Sequence, residues 1–338
     1  MKLIALLILI FHSSSMLADK KIFLLSAGGW DYCMKGSRYS AWQPTCGYQN
    51  VKNIEQLITD KKLPFNSVSV WITRNWQESW YPAEEINKKL VANGITPIFI
   101  FYWYADDISQ KFVLDSQQSI ERDLQRFEDY LKKINGKKLV VLHPEFNQSD
   151  ISQWEGFNQV MSRDINRFKN IRNTKVGFCV GDFGNYHALN SLQDWKSFHP
   201  SIKRAVNDAD FIAFQEMRAT TRNSQIDILN TAQRSLSFAT YLHKTYQKPT
   251  LFAYLALSSY GINGEENQAK VIKETLQLLP RFKNESNLIG FNLFHLMDSP
   301  RQEGYFLEAE KDFGIYRKDG SNKPSAKYLK KYLGEVKN

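Results

Sequence analysis

Cysteine is scarce, at three residues in 338, so no disulfide lattice holds this chain and its stability must come from a buried core. Long apolar runs are scarcer still. Beyond residue 18 nothing approaches the roughly 20 apolar residues of a membrane-spanning helix, so no membrane insertion is expected of the body of the chain. Also missing are a G-x-S-x-G elbow, an H-E-x-x-H or H-x-H pair, and a Gly-rich phosphate turn fuller than the bare Gly28-Gly29. Serine-hydrolase, zinc-hydrolase and dinucleotide chemistry therefore lack support. Of His143, His187 and His295, only one has an acidic neighbour at close spacing, so neither a metal nor a cofactor is expected. The formal charge of +9 comes from scattered lysines rather than a basic stripe, which reads as a solvated surface and gives no nucleic-acid partner.

What is present begins at the N-terminus. Met1-Lys2, the apolar run Leu3 to Phe11 and the small-residue end Ser13-Ser14-Ser15-Met16-Leu17-Ala18 have the parts of a secretory signal peptide. Residues 1–18 are expected to be a leader, and 19–338 a single secreted or periplasmic domain. Export permits a disulfide: Cys33 and Cys46, close together in one loop, are expected to pair, whereas Cys179 sits in an apolar strand and is expected to be free.

Apolar β-branched runs and helical periodicities alternate along the chain. Strands are predicted over 21–26, 67–72, 96–101, 139–143, 175–180, 210–214, 250–255 and 288–294. Helices are predicted over 51–59, 82–93, 115–134, 153–170, 226–246, 267–279 and 324–333, with a weaker one over 189–206. The strands are continuously apolar, as in a parallel sheet buried on both faces, and eight strand-helix units are the count of an α/β fold with a single (β/α)8 TIM barrel.

In such a barrel the site lies at the carboxyl ends of the strands. The residues there are Trp30, Asp31 and Tyr32; Arg74, Asn75 and Trp76; Tyr102, Trp103, Tyr104, Asp106 and Asp107; Glu145 and Asn147; Asp182 and Asn185; Gln215, Glu216 and Arg218; Tyr254 and Ser258; and His295 and Asp298. Aromatics crowd the first three strand ends, and flat rings with polar edges suit the C–H faces of sugars. Glu145 closes the fourth predicted strand and Glu216 follows the sixth. Two carboxylates at the mouth of a barrel match in type the acid and the base or nucleophile of glycoside hydrolysis.

At this level the chain resembles the clan of retaining (β/α)8 glycoside hydrolases that includes cellulases, mannanases and β-galactosidases. The resemblance is carried by the fourth strand ending in Glu145, by Lys248-Pro249-Thr250-Leu251-Phe252-Ala253-Tyr254, by Gly290-Phe291-Asn292-Leu293-Phe294-His295-Leu296-Met297-Asp298, and by Phe313-Gly314-Ile315-Tyr316 through Lys323-Pro324. It implies that Glu145 is the acid/base. Three positions depart from the clan: Pro144 stands where an Asn usually precedes the acid/base, Tyr254 where the nucleophilic Glu ends the seventh strand, and Phe294 where the eighth carries Trp. The resulting expectation is a secreted glycoside hydrolase acting on a polysaccharide or oligosaccharide, with Glu145 and Glu216 catalytic. Trp30, Arg74, Trp76, Tyr102, Trp103, Tyr104, Asn147, Asp182, Tyr254, His295 and Asp298 are expected to bind substrate. Asp182 or Asp298 could replace Glu216 as second carboxylate, and the alternative is a barrel that binds carbohydrate without cleaving it.

Overall fold

The structure, a computed structural model, describes residues 23–28, 65–74, 76–300 and 302–335. The expected leader, the helix over 51–59, Trp30 and the Cys33 and Cys46 pair lie outside the described residues, as does Asn75. Eight parallel strands close into a barrel in sequence order: β1 (Leu24–Gly28), β2 (Ser67–Thr73), β3 (Thr96–Tyr102), β4 (Lys138–Leu142), β5 (Thr174–Gly181), β6 (Phe211–Arg218), β7 (Thr250–Leu257) and β8 (Leu288–Leu293). The ring shuts where β1 pairs with β8, Leu24 opposite Gly290. At that seam β1 has no room for a side chain at Gly28, since a Cβ there would lie 1.8 Å from the Phe294 carbonyl oxygen.

The helices that cover the barrel include α1 (Ala83–Lys89), α2 (Gln117–Lys133), α3 (Phe157–Lys169), α4 (Thr231–Tyr246), α5 (Gly264–Ser286) and α6 (Pro324–Glu335). Left-handed glycines help to end two of the connections, Gly94 after α1 and Gly136 after α2. The weak helical pattern over 189–206 becomes short pieces, Leu192–Trp195 and His199–Ile202. A small parallel pair, β9 (His295–Met297) with β10 (Gly314–Tyr316), follows the barrel. Among the described residues no helix is long and apolar enough to cross a membrane.

Strand alternation sorts side chains into two layers. Ile98, Ile100, Leu139, Val141, Cys179, Phe211, Ala213 and Leu251 fill the barrel. Their neighbours Phe99, Phe101, Val140, Leu142, Phe178, Ile212 and Phe214 face the helices and pack with Phe127, Phe168 and Phe238. Each such side chain contributes about 1.5–3 kcal/mol by leaving water, and both layers are complete around β4. That rigidity fixes the direction in which the end of β4 delivers its polar residues.

Candidate active site

β4 ends in a turn that defies simple alternation. His143 and Glu145 both adopt left-handed backbone, with φ of 47° and 68°, a conformation that costs a non-glycine residue about 1–2 kcal/mol. The turn sends the two side chains in opposite directions. His143 goes outward, packs on Phe101, Tyr104 and Phe157, and meets Asp164 of α3 at 2.8 Å with both side chains buried. Glu145 goes inward, half-buried on the floor of a cavity of about 580 Å³ at the carboxyl ends of the strands.

Three neighbours fix that carboxyl. Gln215 Nε2 donates to Oε1 at 2.7 Å and the Tyr254 hydroxyl to the same oxygen at 2.9 Å. The Tyr102 phenol lies 3.1 Å from Oε2 and 2.5 Å from Asp106 Oδ1. A phenol has one hydrogen. It serves the nearer Asp106, and the contact with Glu145 is then satisfied when Oε2 carries a proton of its own. The electrostatics agree: burial first, and the Asp106 charge second, push the Glu145 carboxyl up to about 7 against the pull of the Gln215 and Tyr254 hydrogen bonds. Burial and the Glu145 charge push the Tyr102 and Tyr254 phenols well up, so both stay neutral donors.

Glu216 does not reach Glu145. β6 runs on through Arg218, past the predicted end at 214, so residues 215 and 216 alternate as strand residues: Gln215 turns inward and Glu216 outward. There Glu216 is 1% exposed and bonds Arg218 at 2.6 Å; burial and the charge of Asp182 push its carboxyl well up. Asp182 lines the cavity, but its carboxylate is held by Arg234 through Nε at 2.5 Å and Nη2 at 2.6 Å and by Trp195 Nε1 at 2.7 Å. Burial alone would raise Asp182, yet the Arg234 hydrogen bonds and the Arg218 charge outweigh it and hold the carboxyl below its ordinary value. Both acids therefore belong to a buried ion cluster that braces β5 and β6 against α4.

Asp298 faces away from the cavity, bonded to Lys323 at 2.6 Å and pushed up to about 6 chiefly by burial. His295 is fully buried beside Phe294, and burial holds its imidazole well below the ordinary value. Asn147 is a clamp between strand ends, with its amide bonded to both N and O of Gly181 at 2.8 Å. The stacking surface expected of Trp76, Trp103 and Tyr104 is not in the cavity. Trp76 packs on Tyr130, Trp103 stacks on Phe112 and bonds Asp123, and Tyr104 covers His143; all three are buried. Arg74 lines the cavity and braces the loop after β3 through Asp107 and the Tyr104 carbonyl.

Strand parity could have supplied one aromatic that the list of strand ends omitted. Trp71 lies two residues before the end of β2, faces inward, and packs on Tyr102, Tyr254 and Phe294 with ring centroids 5.2–5.5 Å apart. The far wall had no such signal. The segment between β9 and β10 returns over the barrel mouth, sutured by Thr221 Oγ1 to the Phe306 carbonyl at 2.8 Å and by Arg222 Nε to the Tyr305 carbonyl at 3.0 Å. It brings Gln302, Tyr305 and Glu310 to the cavity. Among the described residues, no group of three His, Cys, Asp or Glu is placed to hold a metal.

No protein-family pattern matches the sequence, and no curated protein is related to it at a significant level. Solved structures do match in shape. An exo-β-1,4-mannosidase from Opitutaceae bacterium strain TAV5 superposes with a TM-score of 0.62 at 11% identity over 94% of this chain and 60% of its own. A thermostable mutant of a Cellvibrio japonicus xylanase gives 0.56 at 11% over 92% and 97%. The β-D-glucuronidase of Dictyoglomus thermophilum gives 0.57 at 13% over 93%, and this chain spans 50% of that enzyme's length. The fold is that of the (β/α)8 glycoside hydrolases. At such identities the likeness carries the barrel alone, and the residues at its mouth are this chain's own.

Proposed function

We propose that this chain is an exported carbohydrate-active enzyme that cleaves glycosidic bonds, with Glu145 as proton donor and Asp106 as the carboxylate that meets the positive charge developing at the anomeric carbon. One observation carries the reading. Glu145 sits at the end of β4 with its proton on Oε2, against the Tyr102 phenol, at an acidity near neutrality, in a cavity large enough for a sugar. A carboxyl with those properties is matched to donating a proton to a leaving oxygen near pH 7. Asp106 and Glu145 share one phenol, which keeps their nearest oxygens below the roughly 6.5 Å where the carboxyl pairs of inverting enzymes begin.

A second reading, sugar binding without cleavage, is favoured by Tyr254, which lies on the seventh strand in place of a carboxylate and is fully buried against Trp71 and Phe294. One experiment separates the two. Release of reducing ends from a panel of polysaccharides and oligosaccharides is measured for the wild type and for Glu145→Gln. Turnover by the wild type, lost in the variant while its circular dichroism is unchanged, is expected; turnover retained by Glu145→Gln would remove Glu145 from the chemistry. A wild type that binds but never cleaves would leave the binding reading.

A further inference from the structure

Among the described residues, the charge acting on Glu145 is acidic. Asp106 and Glu310 join it at the cavity wall, and Asp106 opposes the ionisation of both of the others. Among the described residues none of the three has a Lys, Arg or His within ion-pair distance. The arginines of the cavity are engaged elsewhere: Arg74 with Asp107, Arg218 with Glu216, and Arg222 over the Tyr305 ring at 4.7 Å.

A second, separate feature lies beside Glu310. Gln302 lines the same cavity at 8% exposure, donates Nε2 to Glu310 Oε2 at 3.0 Å, and leaves its Oε1 with no partner. An acceptor buried without a donor is unfavourable, so this oxygen asks for one from a ligand. Trp71, Tyr102 and Phe294 add aromatic rings to the same cavity, and ring faces attract cations. Carboxylates, an amide oxygen and ring faces are all acceptors. The small group that supplies donors and positive charge together is an ammonium.

We propose that the cavity takes a sugar bearing a protonated amine, a deacetylated amino sugar, with its ammonium held by Glu310, Asp106 and Gln302 Oε1. The inference rests on the sugar-processing reading above and names its substrate class. The chain's formal +9 is spread over scattered lysines, and exposed charge is screened beyond about 8 Å at physiological salt, so discrimination rests on the cavity contacts.

The test is binding to the full chain, measured by calorimetry, of glucosamine and galactosamine, their N-acetylated forms, and glucose and galactose. At least one amine is expected to bind tenfold or more tightly than both its acetylated and its neutral counterparts, since acetylation removes the charge and adds bulk, while the hydroxyl sugar removes the charge at nearly constant size. In Glu310→Gln that ratio is expected to fall towards one. Asp106→Asn provides the same test should Glu310→Gln unfold, with thermal melts reporting the fold of each. Equal binding of all three forms of both sugars would overturn the proposal, as would a ratio unchanged in a folded variant. Binding needs no turnover, so the two readings fail separately: a chain that prefers amines yet cleaves nothing loses the hydrolase reading alone, and one that cleaves neutral glycans with no preference for amines loses this one alone.

Discussion

Asp106→Asn probes the acidity of Glu145 directly. Asp106 raises the Glu145 carboxyl in two ways: its charge opposes a second negative charge nearby, and it takes the single Tyr102 hydrogen that would otherwise stabilise ionised Glu145. With the two carboxylates on one phenol, charges about 5 Å apart interact by roughly 1–3 kcal/mol across effective dielectrics of about 80 down to 20. The cavity is open to water, so the lower part of that range applies, and about 1.4 kcal/mol is one pKa unit. The Glu145 midpoint should therefore fall from about 7 by about one unit or slightly more.

A titration followed by NMR of carbon-labelled glutamate measures this without a substrate. With one, the alkaline limb of the rate profile should move down by the same amount, because the acid must be protonated to act. If Asp106→Asn leaves the midpoint in place or raises it, the account of the shared phenol is wrong.

Two further outcomes follow from the same buried groups. Glu145 binds its proton more tightly folded than unfolded, so its contribution to stability is complete below about 4.5 and is lost as pH rises through about 7. Glu145→Gln should gain on the wild type across that window, by on the order of 1 kcal/mol after screening by cavity water, read from urea unfolding at pH 5 and pH 8. Arg234→Met leaves Asp182 buried with its main partner gone and should cost about 3–5 kcal/mol by the same assay, with no recovery in Arg234→Lys, because the native guanidinium also reaches the Asn185 and Ala188 carbonyls and Ser191 Oγ.

The barrel was legible in the sequence because its strands are apolar on both faces and its helices carry one apolar stripe, and both patterns survive without knowledge of tertiary contacts. The location of Glu145 was legible for the same reason, since a buried run such as Lys138–Leu142 must surface at one end of the sheet. Contacts that depend on where a connection returns were not. Gln302 and Glu310 sit in a segment whose path over the barrel mouth is set by hydrogen bonds from Thr221 and Ser258, about 50 to 90 residues away along the chain. The aromatics misled because adjacency to a strand end does not say which way a ring points. Trp76 and Trp103 each follow a strand closely and turn beneath the loops, where a large apolar surface gains more by leaving water.

The fates of Glu216 and Tyr254 come from one irregularity between β6 and β7. Up to Phe214 opposite Phe252 the strands pair residue for residue; the next pair is Gln215 opposite Tyr254, so β7 contains one residue more, a β-bulge at Ala253. On β6 nothing interrupts the alternation, and residue 216 follows 212 and 214 towards the helices. On β7 the same rule would send residue 254 outward with Phe252. The bulge resets the count, so that Ala253 and Tyr254 both lie on the inner side and Leu255 returns to the outer layer. Tyr254 thereby comes level with Gln215, and the two donors meet on Glu145 Oε1. Because both hydrogen bonds fall on that one oxygen, Oε2 is left to carry the proton, so a single inserted residue on the seventh strand decides which oxygen of Glu145 is protonated.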